Sequence, residues 1–316
     1  MDSAITKTAQ PKSRELSRDE RYAIRSRKIF PWLLVIPCLI VLLGVGVGPT
    51  VWVVRLAFSE HSFVDGWEFI GFANFVTAWE DARFWHGMLL TLWFVFGSVM
   101  IQLILGFISA WALTRVRNVV RVFALTAMLT PMLLAPTLVG LMWKMIFEAR
   151  YGAMNFFLAQ IGIAGPDWFV NEMASYTAIT IADVWQWTPF MTLILFAGWQ
   201  SLSQEVHEAA YVDGANNIQG FIYITLPLMK PFIFLAVFLR MIDAFKIFDV
   251  IWALTKGRPG YTTESIAMYT RFVSFTEFDF GYAGAISIIQ LIIIIIIGQL
   301  LLRQLSRADD DRRKNF

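Results

Sequence analysis

Residues 201–231 read SLSQEVHEAAYVDGANNIQGFIYITLPLMKP and form a polar stretch between two long apolar segments. Ser201 followed by Gln204 at the third position after it is a capping-box pattern, and good helix formers come next. Gly214 stands where a helix terminator belongs, because glycine readily adopts the left-handed backbone that ends many helices. The stretch therefore predicts a short helix lying at a membrane surface, a turn, and a second short helix from about Ile218.

The rest of the chain is too apolar for a soluble protein. Of its 316 residues, 57% are hydrophobic and 16% are charged, and the mean hydropathy is +0.59. Soluble domains carry about a quarter charged residues, so a large soluble helical domain is a poor match. About 20 apolar residues cross the hydrocarbon layer as a helix. That length picks out six spans: Ile29 to Phe58, Met88 to Leu113, Val122 to Phe147, Tyr176 to Trp199, Leu226 to Leu254 and Tyr282 to Leu302.

Lysine and arginine set the predicted orientation, because loops that stay in the cytoplasm carry an excess of them. Basic residues are concentrated in residues 1–28, in the turn at 115–121 and in residues 303–316. The charged residues of segment 59–87 are mainly acidic. The predicted fold class is therefore all-α: a polytopic membrane protein with six transmembrane helices and both termini cytoplasmic. Its predicted parts are a basic N-terminal segment (1–28), a transmembrane domain (29–302) and a charged cytoplasmic tail (303–316).

The sequence lacks the residue patterns that several other functions require. The net charge of +2 is too small to indicate nucleic-acid binding, and the single cysteine, Cys38, lies in an apolar run where a packing role is expected. His61, His86 and His207 are too far apart in sequence to predict a metal site. No glycine-rich phosphate loop and no HExxH or GxSxG motif occurs, so ATP is expected to bind elsewhere and a membrane-embedded enzyme is disfavoured.

Charged residues inside the predicted spans are candidates for function, because a charge in hydrocarbon is costly unless it is paired or hydrated. Arg240, Asp243, Lys246 and Asp249 recur at every third position of the fifth predicted span. Two interpretations stay open: a ladder of ion pairs that holds helices together, or direct contact with a substrate. Tryptophans in the fourth span serve equally well for helix packing or for stacking on a sugar. The candidates for a substrate pathway are Asp183, Gln186, Trp187, Arg240, Asp243 and Lys246.

Residues 208–231 resemble the EAA loop of type I ABC importer permeases, whose pattern is Glu-Ala-Ala, Asp-Gly-Ala, Phe, Ile, Leu-Pro and a later Pro. The matching positions are Glu208, Ala209, Ala210, Asp213, Gly214, Ala215, Phe221, Ile224, Leu226, Pro227 and Pro231. FIGFANFVTAW from Phe69, GAMNFFL from Gly152, WQWTPFMTLILFAGWQSLSQE from Trp185 and FKIFDVIWALTKGRPGYTTESIAMYTRF from Phe245 are similar to the carbohydrate-uptake branch, the maltose-type and glycerol-phosphate-type permeases. One departure is Arg258, which stands where relatives commonly show the second glycine of Gly-Gly-Pro.

The resemblance implies the fold of a type I ABC importer permease in the cytoplasmic membrane of a bacterium or archaeon. It implies a permease subunit that imports a sugar, oligosaccharide or polyol and has no catalytic site or cofactor of its own. The expected partners are a second, homologous permease chain, an extracytoplasmic binding protein, and an ATPase dimer that binds ATP and Mg. The resemblance places coupling to the ATPase in the loop at 200–231, at Glu208, Ala209, Ala210, Asp213, Gly214 and Ala215.

The main alternative is a secondary transporter driven by an ion gradient. Such a transporter is expected to show two similar halves and acidic pairs within the membrane for ion coupling. The sequence shows no convincing internal repeat. The EAA pattern therefore favours the ATP-driven interpretation.

Overall fold

The structure, a computed structural model, describes residues 18–62 and 66–314 and is almost entirely helical. Residues 1–17 of the predicted N-terminal segment lie outside these ranges. The α-helices are α1 (Arg18–Leu42), α2 (Gly48–Ala57), α3 (Ala73–Glu80), α4 (Ala82–Arg115), α5 (Asn118–Leu133), α6 (Pro136–Ile146), α7 (Ala153–Gln160), α8 (Glu172–Gln200), α9 (Gln204–Val212), α10 (Asn217–Gly220), α11 (Leu226–Ala244), α12 (Asp249–Leu254), α13 (Ile266–Phe272) and α14 (Phe280–Lys314). The π-helical turns Leu43–Val47, Phe221–Thr225 and Val273–Glu277 extend the helices that precede them.

The chain divides after Arg55 into two compact units. The first unit contains α1, the following π-helical turn and most of α2. The second unit begins at Leu56 and contains the remaining helices. It also contains an antiparallel hairpin of β1 (Ser59–Ser62) and β2 (Gly66–Phe69), a small addition that the all-α prediction did not include.

Most of the predicted spans correspond to single apolar helical stretches. Helices long and apolar enough to cross a membrane are Phe30–Ala57, Ala82–Arg115, Glu172–Gln200, Asn217–Ala244 and Phe280–Gln304. The last of these lies within α14, which continues to Lys314, so the backbone of the predicted tail is helical up to that residue.

The third predicted span is broken rather than continuous. Helices α5 and α6 meet at an angle of 97° across Leu134 and Ala135. Both of these residues have extended backbone angles. Pro136 explains the break, because a proline disfavours the helical conformation of the residue before it. The described part of the chain therefore has five spans, or six if the bent pair crosses as one.

The fifth predicted span was wrong at its C-terminal end, because α11 stops at Ala244 and α12 begins at Asp249. Phe245 and Ile247 between them are buried in two different apolar clusters. Side chains from other elements donate hydrogen bonds to the carbonyls that the helix end leaves free. Gln290 Nε2 donates to the Phe245 carbonyl at 3.2 Å, and Ser265 Oγ donates to the Ile247 carbonyl at 2.8 Å. Packing of separate segments thus ends this helix where the sequence carries no proline or glycine.

Helices α4 and α8 form the centre of the second unit, and α11 packs against both and against α14. A glycine permits close approach of α4 and α8, because a Cβ atom added at Gly106 of α4 would lie 2.7 Å from the Cβ of Met191 on α8. Helices that associate in lipid depend on such close packing, because apolar side chains gain little by leaving lipid for protein. This tight crossing fixes the positions of the polar side chains on both helices.

Candidate functional site

Arg240 of α11 is fully buried and forms a closed polar network with α4 and α8. Its Nη2 atom donates to Oδ1 and Oδ2 of Asp183, both at 2.6 Å, and its Nε atom donates to Oε1 of Gln102 at 2.9 Å. Gln102 in turn donates through Nε2 to Asp183 Oδ2 at 2.8 Å. Buried charges persist where they are paired and hydrogen-bonded in this way. The network joins three helices at depth within the spans.

The network also has a partly exposed edge. Arg240 Nη1 donates to Asp243 Oδ2 at 3.1 Å, and the Asp243 side chain is 46% exposed, against 1% for Arg240. The Arg240 guanidinium carbon lies 5.0 Å from the ring centroid of Trp187, which is itself partly buried. We call Trp187 and Asp243 the rim of the network. The rim presents one carboxylate and one aromatic ring.

The remaining pathway candidates lie apart from this network. Gln186 is buried and donates through Nε2 to the carbonyl of Leu134, where α5 ends. Its Oε1 atom has no hydrogen-bond partner among the described residues. Lys246 and Asp249 are exposed and lie beyond the end of α11. The row predicted along one helix therefore ends after Arg240 and Asp243, because the helix itself ends.

The sequence alone did not identify Gln102 as a member of the site. Gln102 is a neutral residue in an apolar span, and the search for candidates considered charged residues in the spans. A weak signal existed, since a buried amide in a span must find hydrogen-bond partners. Its partners belong to α8 and α11, which are distant in sequence.

The polar loop folds as two short helices with a glycine turn between them. Gly214 has φ +86°, a conformation that favours glycine, and the Ala215 N–H donates to the Ala210 carbonyl at 2.9 Å. Asn216 and Gln219 then form a reciprocal capping box, each side chain bonding the backbone N–H of the other at 2.9 Å. The predicted helix, turn and second helix are all present.

The predicted capping box at Ser201 was wrong. Its hydroxyl donates to the Gly198 carbonyl at 2.7 Å and so closes the end of α8. Ser203 accepts from the Glu205 N–H at 3.2 Å instead. The motif was placed too early because α8 continues to Gln200.

One side of this loop borders a cleft. Glu208, Ala209 and Asp213 are exposed, whereas Ala210 and Ala215 are partly buried and line a cavity of about 560 Å³. The other walls are the C-terminal part of α4, the end of α8 and the first turns leading into α11. The loop thus touches the ends of three helices that also carry the buried network.

A second polar cluster ties the start of α4 to α13 and α14. The Tyr269 hydroxyl donates to Asp81 Oδ2, and the Tyr282 hydroxyl donates to the same oxygen at 2.6 Å. Burial raises the pKa of Asp81, but these hydrogen bonds and those from backbone N–H groups outweigh it and hold the pKa below its usual value. Burial and the bond to Asp81 both raise the pKa of Tyr269. Next to this cluster, Arg83 pairs with Glu264 through two bonds of 2.7 and 2.9 Å.

No group of three or more His, Cys, Asp or Glu side chains suited to a metal ion occurs within the described residues.

Residues 102–308 match the family described as binding-protein-dependent transport system inner membrane component. The chain is 34% identical over 270 residues to the trehalose/maltose transport system permease protein MalF of Thermococcus litoralis, covering 84% of this chain and 89% of the relative. It is 30% identical over 308 residues to the sulfoquinovosyl glycerol transport system permease protein SmoG of Agrobacterium fabrum, covering 94% and 96%.

The fold is also similar to a solved structure. A chain of a bacterial ABC transporter involved in the import of the acidic polysaccharide alginate superposes with a TM-score of 0.79 at 20% sequence identity, covering 91% of this chain and 99% of that one. At this level of identity the likeness concerns the fold.

These findings define a multi-pass transport subunit of the cytoplasmic membrane. The chain belongs to the binding-protein-dependent transport system inner membrane components, the permease subunits of ABC importers. The sequence-based prediction of an ABC permease is thereby confirmed, and the alternative of an ion-driven secondary transporter is set aside.

Proposed function

We propose that this chain forms part of the path by which a sugar, oligosaccharide or polyol enters the cell. The observation that carries this substrate class is that relatives aligned over most of both chains are named for carbohydrate-containing substrates, trehalose/maltose in one and sulfoquinovosyl glycerol in another. The chemistry of the rim supports it. A carboxylate that accepts hydroxyl hydrogen bonds beside an aromatic face is the combination that polyhydroxylated ligands need.

Within this proposal the six pathway candidates divide into three roles. Asp243 and Trp187 contact the substrate, and Lys246, beyond the end of α11, contributes an exposed cation. Arg240 and Asp183 hold the rim in place, because their hydrogen bonds are taken up within the network. Gln186 supports the break between α5 and α6 through its bond to Leu134.

An apolar cleft of about 660 Å³ lies on another face of α8 and supports the same pathway. Trp143 and Trp185 line it, with ring centroids 5.8 Å apart. The Trp143 Nε1 atom is buried and without a hydrogen-bond partner among the described residues. The two indole rings give apolar surface against which a sugar ring can pack.

The same proposal assigns coupling to Glu208, Ala209, Ala210, Asp213, Gly214 and Ala215. The exposed acidic face of α9 suits a basic groove on an ATPase subunit, and the small alanines permit close approach. ATP and Mg bind to a partner ATPase dimer. A second permease chain supplies the second coupling loop, and an extracytoplasmic binding protein delivers the substrate. Both termini are cytoplasmic, with α5 and α6 together making the third crossing.

The test is uptake of a panel of labelled sugars and polyols by cells that carry the complete transporter. Gly214→Asp and Glu208→Lys are expected to abolish uptake while the protein still reaches the membrane. Gly162→Asp is the matched control for the glycine variant. Gly162 also has a positive φ, +78°, and open space around it, so this control carries the same backbone strain and added charge at a different loop.

Uptake should stop when cellular ATP is depleted and should survive an ionophore that collapses ion gradients without depleting ATP. Persistence of uptake in both loop variants would remove the coupling role. Transport of no sugar or polyol in the panel by the wild-type complex would contradict the substrate class.

A further inference from the structure

A small basic cavity lies at the opposite end of α4 from the coupling loop. Its volume is about 210 Å³, and the segment joining α12 to α13 forms much of its wall. Four basic residues and one carboxylate line it: Arg83, Lys256, Arg258, Arg271 and Glu264. A cavity of this size holds a single ring or one charged group. Its charge is strongly positive.

The loop that carries two of these cations is held in one shape. The hydroxyls of Thr255 and Thr263 lie 2.8 Å apart, and both residues are buried. Thr263 also donates to the Arg258 carbonyl at 2.9 Å. Lys256 has φ +53°, which is uncommon for a residue with a side chain and requires support from its surroundings. The hydrogen bonds of this loop therefore hold Lys256 and Arg258 on a defined backbone conformation.

Only one of the four cations is neutralised within the described residues. Arg83 forms its ion pair with Glu264. Lys256, Arg258 and Arg271 are exposed and form no ion pair in that part of the chain. Three positive charges in one cavity repel one another. An arrangement of this kind is stabilised when an anion binds.

Aromatic rings hold two of the free cations. The Arg271 guanidinium carbon lies 4.3 Å from the Trp252 ring centroid, and Lys256 Nζ lies 5.9 Å from the same centroid. A ring face orients a cation without cancelling its charge. Contact with the ring restricts these two side chains before binding, so they lose less conformational entropy when an anion arrives.

We propose that Lys256, Arg258 and Arg271 bind the anionic group of the transported saccharide, a carboxylate, sulfonate or phosphate, so that the transporter handles an acidic rather than a neutral sugar. The inference rests on the proposed function, since it specifies the substrate of that transport path. A saccharide is favoured because Trp252 and Tyr261 stand beside the cations and give apolar surface for a sugar ring. The headgroup of an anionic lipid would satisfy the same charges, and the test separates the two sources.

The experiment measures ATP-driven uptake by the complete transporter in liposomes of zwitterionic lipid. The probes are oligosaccharides of galactose and oligosaccharides of galacturonate of equal length. The variant is Arg258→Gln with Arg271→Gln. The control is Arg150→Gln, which removes an exposed arginine from a different loop. Binding of the substrate-binding protein to the liposomes is measured alongside.

The double variant is expected to raise the KM for the galacturonate probe about tenfold or more, because each charge-assisted hydrogen bond contributes on that scale. Its KM for the galactose probe and its binding-protein affinity should stay unchanged, as should both probes in the control.

Wild-type uptake of galactose but not of galacturonate overturns the charge assignment alone. Uptake of neither probe by a transporter that does import a neutral sugar of the panel also overturns the charge assignment alone. Import of no sugar or polyol at all overturns the proposed function and this inference with it. Equal loss for both probes together with weaker binding-protein affinity would make the basic cavity a protein docking surface. A defect that appears only after anionic lipid is added would make the lipid headgroup the ligand. Either of these last two results overturns the proposal.

Discussion

Replacing Arg240 by leucine tests the buried network most directly. The substitution leaves the Asp183 carboxylate with the Gln102 amide as its remaining side-chain partner, at 2.8 Å, and with almost no solvent. Removing one member of a buried ion pair typically destabilises a protein by about 3–5 kcal/mol, because the other charge stays buried and uncompensated. We expect a loss of about that size for Arg240→Leu.

The two partners of Arg240 should differ in a defined order. Asp183→Asn keeps the shape of the side chain and leaves Arg240 bonded to Gln102 and Asp243, so its loss should be smaller than that of Arg240→Leu. Asp243→Asn should cost least, because its half-exposed carboxylate is screened by solvent. The double variant Arg240→Leu with Asp183→Asn should recover part of the stability, since it leaves neither charge buried alone.

The measurement is reversible unfolding of the purified transporter in mixed micelles with increasing dodecyl sulfate, followed by tryptophan fluorescence. Surface expression and complex assembly serve as controls. If the double variant is as unstable as the sum of the two single variants, the residues are not coupled and the network does not hold the helices together. If Arg240→Leu unfolds as the wild type does, the charge is not buried in the membrane protein.

Three further changes test the packing and the polar contacts. Gly106→Ala should destabilise the chain by about 1–3 kcal/mol, because the added methyl meets α8, whereas Gly97→Ala on the same helix has open space and should be tolerated; the same micelle titration compares them. Gln186→Leu should cost about 1–3 kcal/mol and speed hydrogen exchange of backbone amides near the α5–α6 break, because it leaves the Leu134 carbonyl unpaired; unchanged exchange there would contradict that role. The lowered pKa of Asp81 contributes stability above the unfolded-state pKa, and this stability should be lost as the pH falls through the lower folded-state pKa; thermal unfolding between about pH 5 and 2 should show a steeper decline in wild type than in Asp81→Asn.

Much of the helical plan could be predicted from the sequence, because apolar length alone decides whether a helix can cross a membrane. The positions at which helices break were harder to predict. Pro136 gave a local reason for the bend after α5, yet proline is tolerated in many membrane helices, and so the bend angle depends on packing. The end of α11 had no local signal. It depends on Gln290 and Ser265, which reach it from α14 and from the start of α13.

The candidate site could likewise be predicted only in part. Gly214 and the residues around it form a local motif, so their backbone conformation follows from neighbours in sequence. Arg240 and Asp183 could be singled out as charges in apolar spans, but their pairing with Gln102 is a property of three helices packed together. The basic cavity was visible only as one departure, Arg258, because Arg271 and Trp252 come to it from separate elements.

The proposed coupling loop is joined to Arg240 and Asp243 by one helical path. Residues Asn217–Ala244 form a continuous helical stretch through α10, the π-helical turn and α11. At 1.5 Å per residue its 28 residues extend about 42 Å, so a displacement at the loop reaches the opposite end without any contact between the two sites. Arg240 lies near that far end and is fixed to α8 through Asp183. A rigid α11 must therefore move α8 with it or break the ion pair. Because Gln102 bonds both Arg240 and Asp183, the same network also ties α4 to this pair. Because breaking these bonds is costly, we expect α4, α8 and α11 to move together and the substrate path to open against a partner chain.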